Sequence, residues 1–148
     1  MKKLCLATLL MIFISGCATT LPTLQRRSIE SRDLEGTFED AYKATLQVLQ
    51  DYGYIIKNTD FDSGVIQGET GIQKGWFGIM TNFEITATLE QFGENRVKER
   101  LSLIKKQKTS SPKYGTQENS YIVDDPGLFQ KLYDDIQKEM FIRRNLAR

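Results

Sequence analysis

Three pairs of carboxylates are the residues best suited to chemistry: Asp60 with Asp62, Asp124 with Asp125, and Asp134 with Asp135. Paired acids can hold a divalent cation or divide acid–base work between them. Each pair also has a local structural cause. Asp60 and Asp62 fall in a turn, where aspartate bonds its own backbone. Asp125 stands at a helix start, and Asp134 and Asp135 fall on the wet side of that helix. "DFDSG" fails as a calcium loop, because position twelve counted from Asp60 is Gly71 and not a glutamate. Gly68, Gly71, Gly75 and Gly78 lack the phosphate-loop spacing and the helix that must follow it. The chain has no histidine, which removes Ser-His-Asp and Cys-His catalysis and imidazole metal sites. No catalytic, cofactor or metal residue is therefore assigned. Two features remain. Cys17, one of only two cysteines, ends an apolar run, and "GETGIQKGWFGIMT" sets Lys74, Trp76 and Phe77 in a glycine-rich connection. These aromatics either plug the end of the core or form a projecting tip that grips a partner or lipid.

The N-terminus explains Cys17. Lys2 and Lys3 precede an apolar run from Leu4 to Ile14, the layout of a secretion signal. Eleven residues fall short of the roughly 20 that span a bilayer. Ile14-Ser15-Gly16-Cys17 resembles the lipobox of bacterial lipoproteins. The resemblance implies cleavage before Cys17, loss of residues 1–16 and diacylglycerol on the thiol, with a further acyl chain on the new amine. Stable anchoring needs two or more chains, at about 0.8 kcal/mol per buried methylene. Cys5 leaves with the signal, so no intramolecular disulfide is possible. The mature chain keeps 18 basic and 19 acidic residues, because Lys2 and Lys3 come off the initial 20. A near-neutral balance gives no reason to expect nucleic acid. Ala18 after the cysteine implies, by the same resemblance, the outer membrane if the source is Gram-negative.

The elements that position these residues read as follows. Residues 17–27 look like a lipidated tether and 28–148 like one domain. "SIESRDL" (28–34) is a possible strand. Thr37 to Tyr52 is a helix, with Thr37 as N-cap, Asp40 at N3 and Gly53 at its end. "YIIKN" and "GVIQGE" form a hairpin around "TDFDSG". "NFEITATLE" (82–90) and "RVKERLSLI" (96–104) alternate cleanly, and pairing Leu89 with Val97 and Ile85 with Leu101 puts both apolar sets on one face. That register leaves Glu99 on the apolar face opposite Ala87, either at an edge or bulge or as a polar anchor in a groove under the helices. Lys105 to Asp124 reads as a long polar loop, with "SYIV" a short strand. Asp125 caps a last helix with Pro126 at N1 and a stripe of Leu128, Phe129, Leu132, Tyr133, Ile136 and Met140. Basic residues gather at Lys105, Lys106, Lys108 and Lys113, and again at Arg143, Arg144 and Arg148. Such short runs are solvated charge, or a surface for anionic lipid or glycan.

The expected fold class is α+β: a single antiparallel sheet of four to five strands with two helices on one face. "AYKATLQVLQDYGYIIKNTDFDSGVIQGE" and "DDPGLFQKLYDDIQKEMF" resemble a group of small bacterial lipoproteins of uncharacterised function. The order also resembles the helix-grip domains of the outer-membrane assembly lipoprotein subunit, a likeness of fold alone. The expected function is a lipid-anchored, periplasm-facing envelope module, attached to the membrane through Cys17. It would act without catalysis on a protein or glycan partner. The alternatives are a carboxylate-dependent periplasmic hydrolase and a pilot lipoprotein for an outer-membrane complex.

Overall fold

A computed structural model describes residues 22–75, 78–111 and 115–146 of the chain. Helix α1 (Thr23–Glu30) leads into β1 (Ser31–Glu35) and α2 (Phe38–Asp51). Strands β2 (Tyr54–Asp60), β3 (Val65–Thr70), β4 (Gln73–Lys74), β5 (Ile79–Gln91), β6 (Arg96–Ser111) and β7 (Gly115–Ile122) follow, and α3 (Pro126–Leu146) closes the order. The class is α+β with an antiparallel sheet. The counts differ from the four to five strands and two helices expected, since the described residues form a sheet of seven strands and three helices.

The larger strand count comes from strands that share a lane. β5 and β6 pair from Ile79–Thr109 to Gln91–Val97. β3 and β4 both pair with the far side of β5, at separate stretches. β1 and β7 both pair with the far side of β6, β1 at Arg96–Arg100 and β7 at Ile104–Ser111. The sheet therefore has five lanes, with β2 outermost beyond β3.

One face of this sheet and two helices make the core. Leu34, Ile66, Ile85, Ala87, Leu89, Val97, Leu101 and Leu103 are buried together with Ala41, Tyr42, Ala44, Val48 and Leu49 of α2 and Phe129, Leu132, Tyr133, Ile136 and Met140 of α3. Both helices start as their sequences dictate. Thr37 Oγ1 accepts from the Asp40 amide at 3.1 Å. Asp125 Oδ1 accepts from the amides of Gly127 and Leu128, at 2.9 and 3.3 Å, ahead of Pro126. Gly53, just past α2, has φ +83°, the left-handed cap for which glycine is suited.

Four expectations need correction. The β5–β6 register is offset by two residues: Leu89 faces Glu99, Ala87 faces Leu101 and Ile85 faces Leu103. An offset of two keeps every side chain on its own face, so alternation cannot exclude it. The turn decides it. Gly93, at φ +87°, tightens the loop to three residues, and the Phe92 amide donates to the Arg96 carbonyl at 2.9 Å. Within the stretch read as a loop, 105–111 continue β6 and 115–122 form β7. α1 begins at Thr23, inside the stretch read as a tether, and Ser28–Glu30 are helical where a strand was expected. The connection 68–81 carries β4 and the start of β5, with Gln73 paired to Thr81 and Lys74 to Met80.

Candidate functional site

The outer face of the sheet holds an open groove of about 1160 Å3. β1, β5 and β6 build its floor and α1 one wall. Antiparallel partners share a face, so Asp33, Lys98 and Glu90 form one row across it, and Ser31, Arg100 and Thr88 the next. Arg27 and Ser28 reach it from α1, and Ser63 from the β2–β3 turn. A smaller depression shares Arg100 and Thr88 and adds Thr86 and Ser102, and a third shares Thr86 and adds Lys57, Gln67 and Glu69. Together they form a continuous polar trough across the sheet.

Arg100 is fixed in that trough from below. Its Nε and Nη2 donate to Glu30 Oε2, at 3.3 and 2.9 Å. Glu30 is only 2% exposed. Arg26 Nε lies 3.5 Å from its other oxygen. A buried carboxylate needs this pairing, and the pair adds little net stability over apolar neighbours. What it does is hold the half-exposed Arg100 guanidinium in one place. The spacing of Arg26 and Glu30 is a local helical pair, but no local pattern marks the meeting of Glu30 with Arg100, which is 70 residues away.

Tyr133 completes the same corner. β1 and β7 leave Leu101 to Leu103 of β6 without a strand neighbour on that side. The Tyr133 hydroxyl enters there, accepting from the Leu101 amide at 3.2 Å and donating to the Glu30 carbonyl at 2.6 Å. Val123 then donates to the Leu103 carbonyl at 3.0 Å. Burial, with the carboxyl of Glu99 nearby, pushes the Tyr133 phenol well above its usual range. Arg32 stacks over the ring at 5.4 Å and donates to Gln130.

Glu99 lies on the core face, fully buried, between Arg32 of β1 and Leu89 of β5 in register. Its Oε1 is 2.8 Å from Thr45 Oγ1 of α2, and its Oε2 is buried without a hydrogen-bond partner. Burial pushes its pKa up to about 8, with the Thr45 contact working in the opposite direction. Glu99 does not open into the trough, which is on the other face.

The acidic pairs take separate roles: Asp60 and Asp125 hold backbone amides, Asp134 accepts from Gln130, and Asp135 is partly buried rather than wholly on the wet side expected of it, while Asp124 Oδ1 is buried without a hydrogen-bond partner. Asp60 Oδ1 accepts from the amides of Asp62 and Ser63, and the Ser63 side chain, followed by these amides, lowers its pKa. Asp125 is the α3 cap. Asp135 accepts from the Tyr52 hydroxyl at 2.6 Å. Burial and that carboxylate raise Tyr52 to about 12. Lys74 is exposed on β4, while Trp76, Phe77 and Cys17 lie outside the described residues. Among the described residues no helix is long and apolar enough to cross a membrane. A scan of protein-family models finds no match to this chain, and a search of curated proteins finds none either.

Proposed function

We propose that the chain is a lipid-anchored module of the bacterial cell envelope, held at the outer membrane through Cys17 and facing the periplasm. Its role is to bind an envelope partner without catalysis. The anchor reading is supported by the signal that ends in Ile14-Ser15-Gly16-Cys17. The observation that carries the binding reading is the open trough, where Arg27 and Arg100 stand among the hydroxyls of Ser28, Ser31, Ser63 and Thr88, and Lys98 stands between Asp33 and Glu90. Guanidinium groups set among hydroxyls suit an anionic glycan or an acidic protein surface. The likeness to helix-grip domains is proposed on the sharing of one core by α2, α3 and a single sheet face.

The test is extraction in mild detergent followed by intact mass and identification of co-purifying material. A chain starting at Cys17 with a multi-acyl addition supports the anchor, and Cys17→Ser should release a soluble protein. An unmodified Cys17 in the membrane fraction overturns it. Loss of the co-purified partner in an Arg27→Ala, Lys98→Ala double variant supports the trough, and undiminished capture overturns it.

A further inference from the structure

The two outermost lanes of the sheet are protected differently. β2 breaks register against β3 between Ile56 and Asn58, and Lys57 stands at that bulge. A bulge and a lysine both discourage another chain from pairing with an edge. β7 has neither. Its sequence GTQENSYI contains no lysine and no proline, and every residue is exposed. Its register against β6 runs unbroken from Gly115 to Ile122. Among the described residues β7 pairs with β6 alone. Eight residues make a straight open edge of about 27 Å. Tyr121 and Ile122, half exposed at one end, add apolar surface to it.

We propose that β7 is a self-association edge, on which a second copy of this chain adds its own β7 antiparallel to the first. A twofold axis normal to the sheet keeps both helix layers on one side. Such an axis passes through a residue paired with its own copy, since directly opposed residues must share a face. Centring on Glu118 sets two carboxylates against each other, which is unfavourable. Centring on Ser120 shortens the overlap. Centring on Asn119 pairs Gln117 with Tyr121 and Thr116 with Ile122, and uses seven of the eight residues of the strand. The Asn119 amide can both donate to and accept from its copy.

Charge agrees with this register. Glu118 lies opposite Ser120 of the second copy. On the same face, Lys108 is beside Glu118 and Lys106 is beside Ser120. The row across the junction therefore runs Lys108, Glu118, then Ser120 and Lys106 of the second copy, with no like charges adjacent across the new pairing. The inference depends on neither the anchor nor the trough.

Position 120 tests it, because it is exposed and its two charge variants must act in opposite directions. Sedimentation equilibrium of the purified full chain in mild detergent measures the dimer dissociation constant. Ser120→Glu faces Glu118 twice across the axis and should weaken the dimer about five- to tenfold. Ser120→Lys faces the same carboxylates and should tighten it by a similar factor. Glu118→Lys combined with Ser120→Glu should restore near-native affinity. Asn119→Cys should form an intersubunit disulfide under mild oxidation, while Thr116→Cys should not. Matching far-ultraviolet circular dichroism shows whether each variant is folded. A chain that stays monomeric overturns the proposal. So does a dimer that both charge variants move in the same direction, or that neither moves.

Discussion

Thr45 and Glu99 share a proton that only one arrangement distributes well. The Thr45 hydroxyl lies 2.8 Å from both the Ala41 carbonyl and Glu99 Oε1. It has one hydrogen to give. With Glu99 ionised, the hydroxyl turns to the carboxylate, and a buried charge rests on one neutral hydrogen bond. With Glu99 protonated, the acid donates to Thr45 and Thr45 donates to Ala41, so the chain of bonds closes. Geometry and burial both favour the neutral acid.

Stability should therefore fall as pH rises through the Glu99 window. Below the ordinary glutamate value of 4.5, folded and unfolded chains both hold the proton. Between 4.5 and about 8 only the folded chain keeps it, and above that neither does. The slope attributable to Glu99 approaches about 1.4 kcal/mol per pH unit within the window. Urea unfolding of the native chain and Glu99→Gln at pH 5, 6, 7 and 8 measures it. The variant should gain on the native chain as pH rises. Parallel stability profiles would refute the neutral acid.

Removing one oxygen from Tyr133 should be costly. Tyr133→Phe keeps the ring but strips the Leu101 amide and the Glu30 carbonyl of their partner, both at a buried junction. Each orphaned group costs about 1–3 kcal/mol. We expect a loss of roughly 2–4 kcal/mol in denaturant unfolding. Hydrogen exchange should also accelerate at Leu101 before the core of α2. A loss below about 0.5 kcal/mol would mean that water replaces the hydroxyl.

How much of this was legible in the sequence depends on where one face of an element is dry. α2 was readable because a buried stripe, a Thr cap and a glycine stop agree, and α3 because a buried stripe follows an Asp cap and Pro126. The 82–90 and 96–104 alternation was readable because Ile85, Ala87, Val97, Leu101 and Leu103 sit over the helices. The β6–β7 extension was not. Neither face of β7 is covered, so no period of two is imposed on GTQENSYI, and the stretch resembles a loop. The register failed for a related reason, since a two-residue offset is invisible to face patterning. Of the site, Glu99 stood out by its face, because a charge broke an apolar alternation. Glu30, Arg100 and Tyr133 did not stand out, since their meeting depends on contacts across the whole chain.

Two glycines with similar dihedrals should respond very differently to alanine. Gly53 (φ +83°) has open space where a Cβ would go. Gly53→Ala should cost only the left-handed strain, about 1 kcal/mol. Gly64 (φ +68°) closes the β2–β3 turn, and a Cβ there would overlap the Leu89 carbonyl oxygen. Gly64 and Leu89 are also joined by a backbone hydrogen bond of 2.8 Å, so neither can retreat without breaking it. Gly64→Ala should cost about 3 kcal/mol or more. Similar melting temperatures for the two variants would show that the turn yields.

Glu30 and Arg100 should behave as a unit. Arg100→Met leaves a carboxylate at 2% exposure with only Arg26, 3.5 Å away, to answer its charge. Removing one member of a buried pair typically costs about 3–5 kcal/mol. Arg100 is itself half exposed, so water offsets part of that, and about 2–3 kcal/mol is the expected loss. Glu30→Met should cost less, because the arginine it frees can turn to solvent in the trough. The double variant should be more stable than Arg100→Met alone, since it removes the stranded charge. A double-mutant cycle from urea unfolding measures this, with an expected coupling of about 1–3 kcal/mol. Additive losses would mean that the two side chains, although in contact, do not depend on each other, and that Arg100 is held in the trough by something other than Glu30.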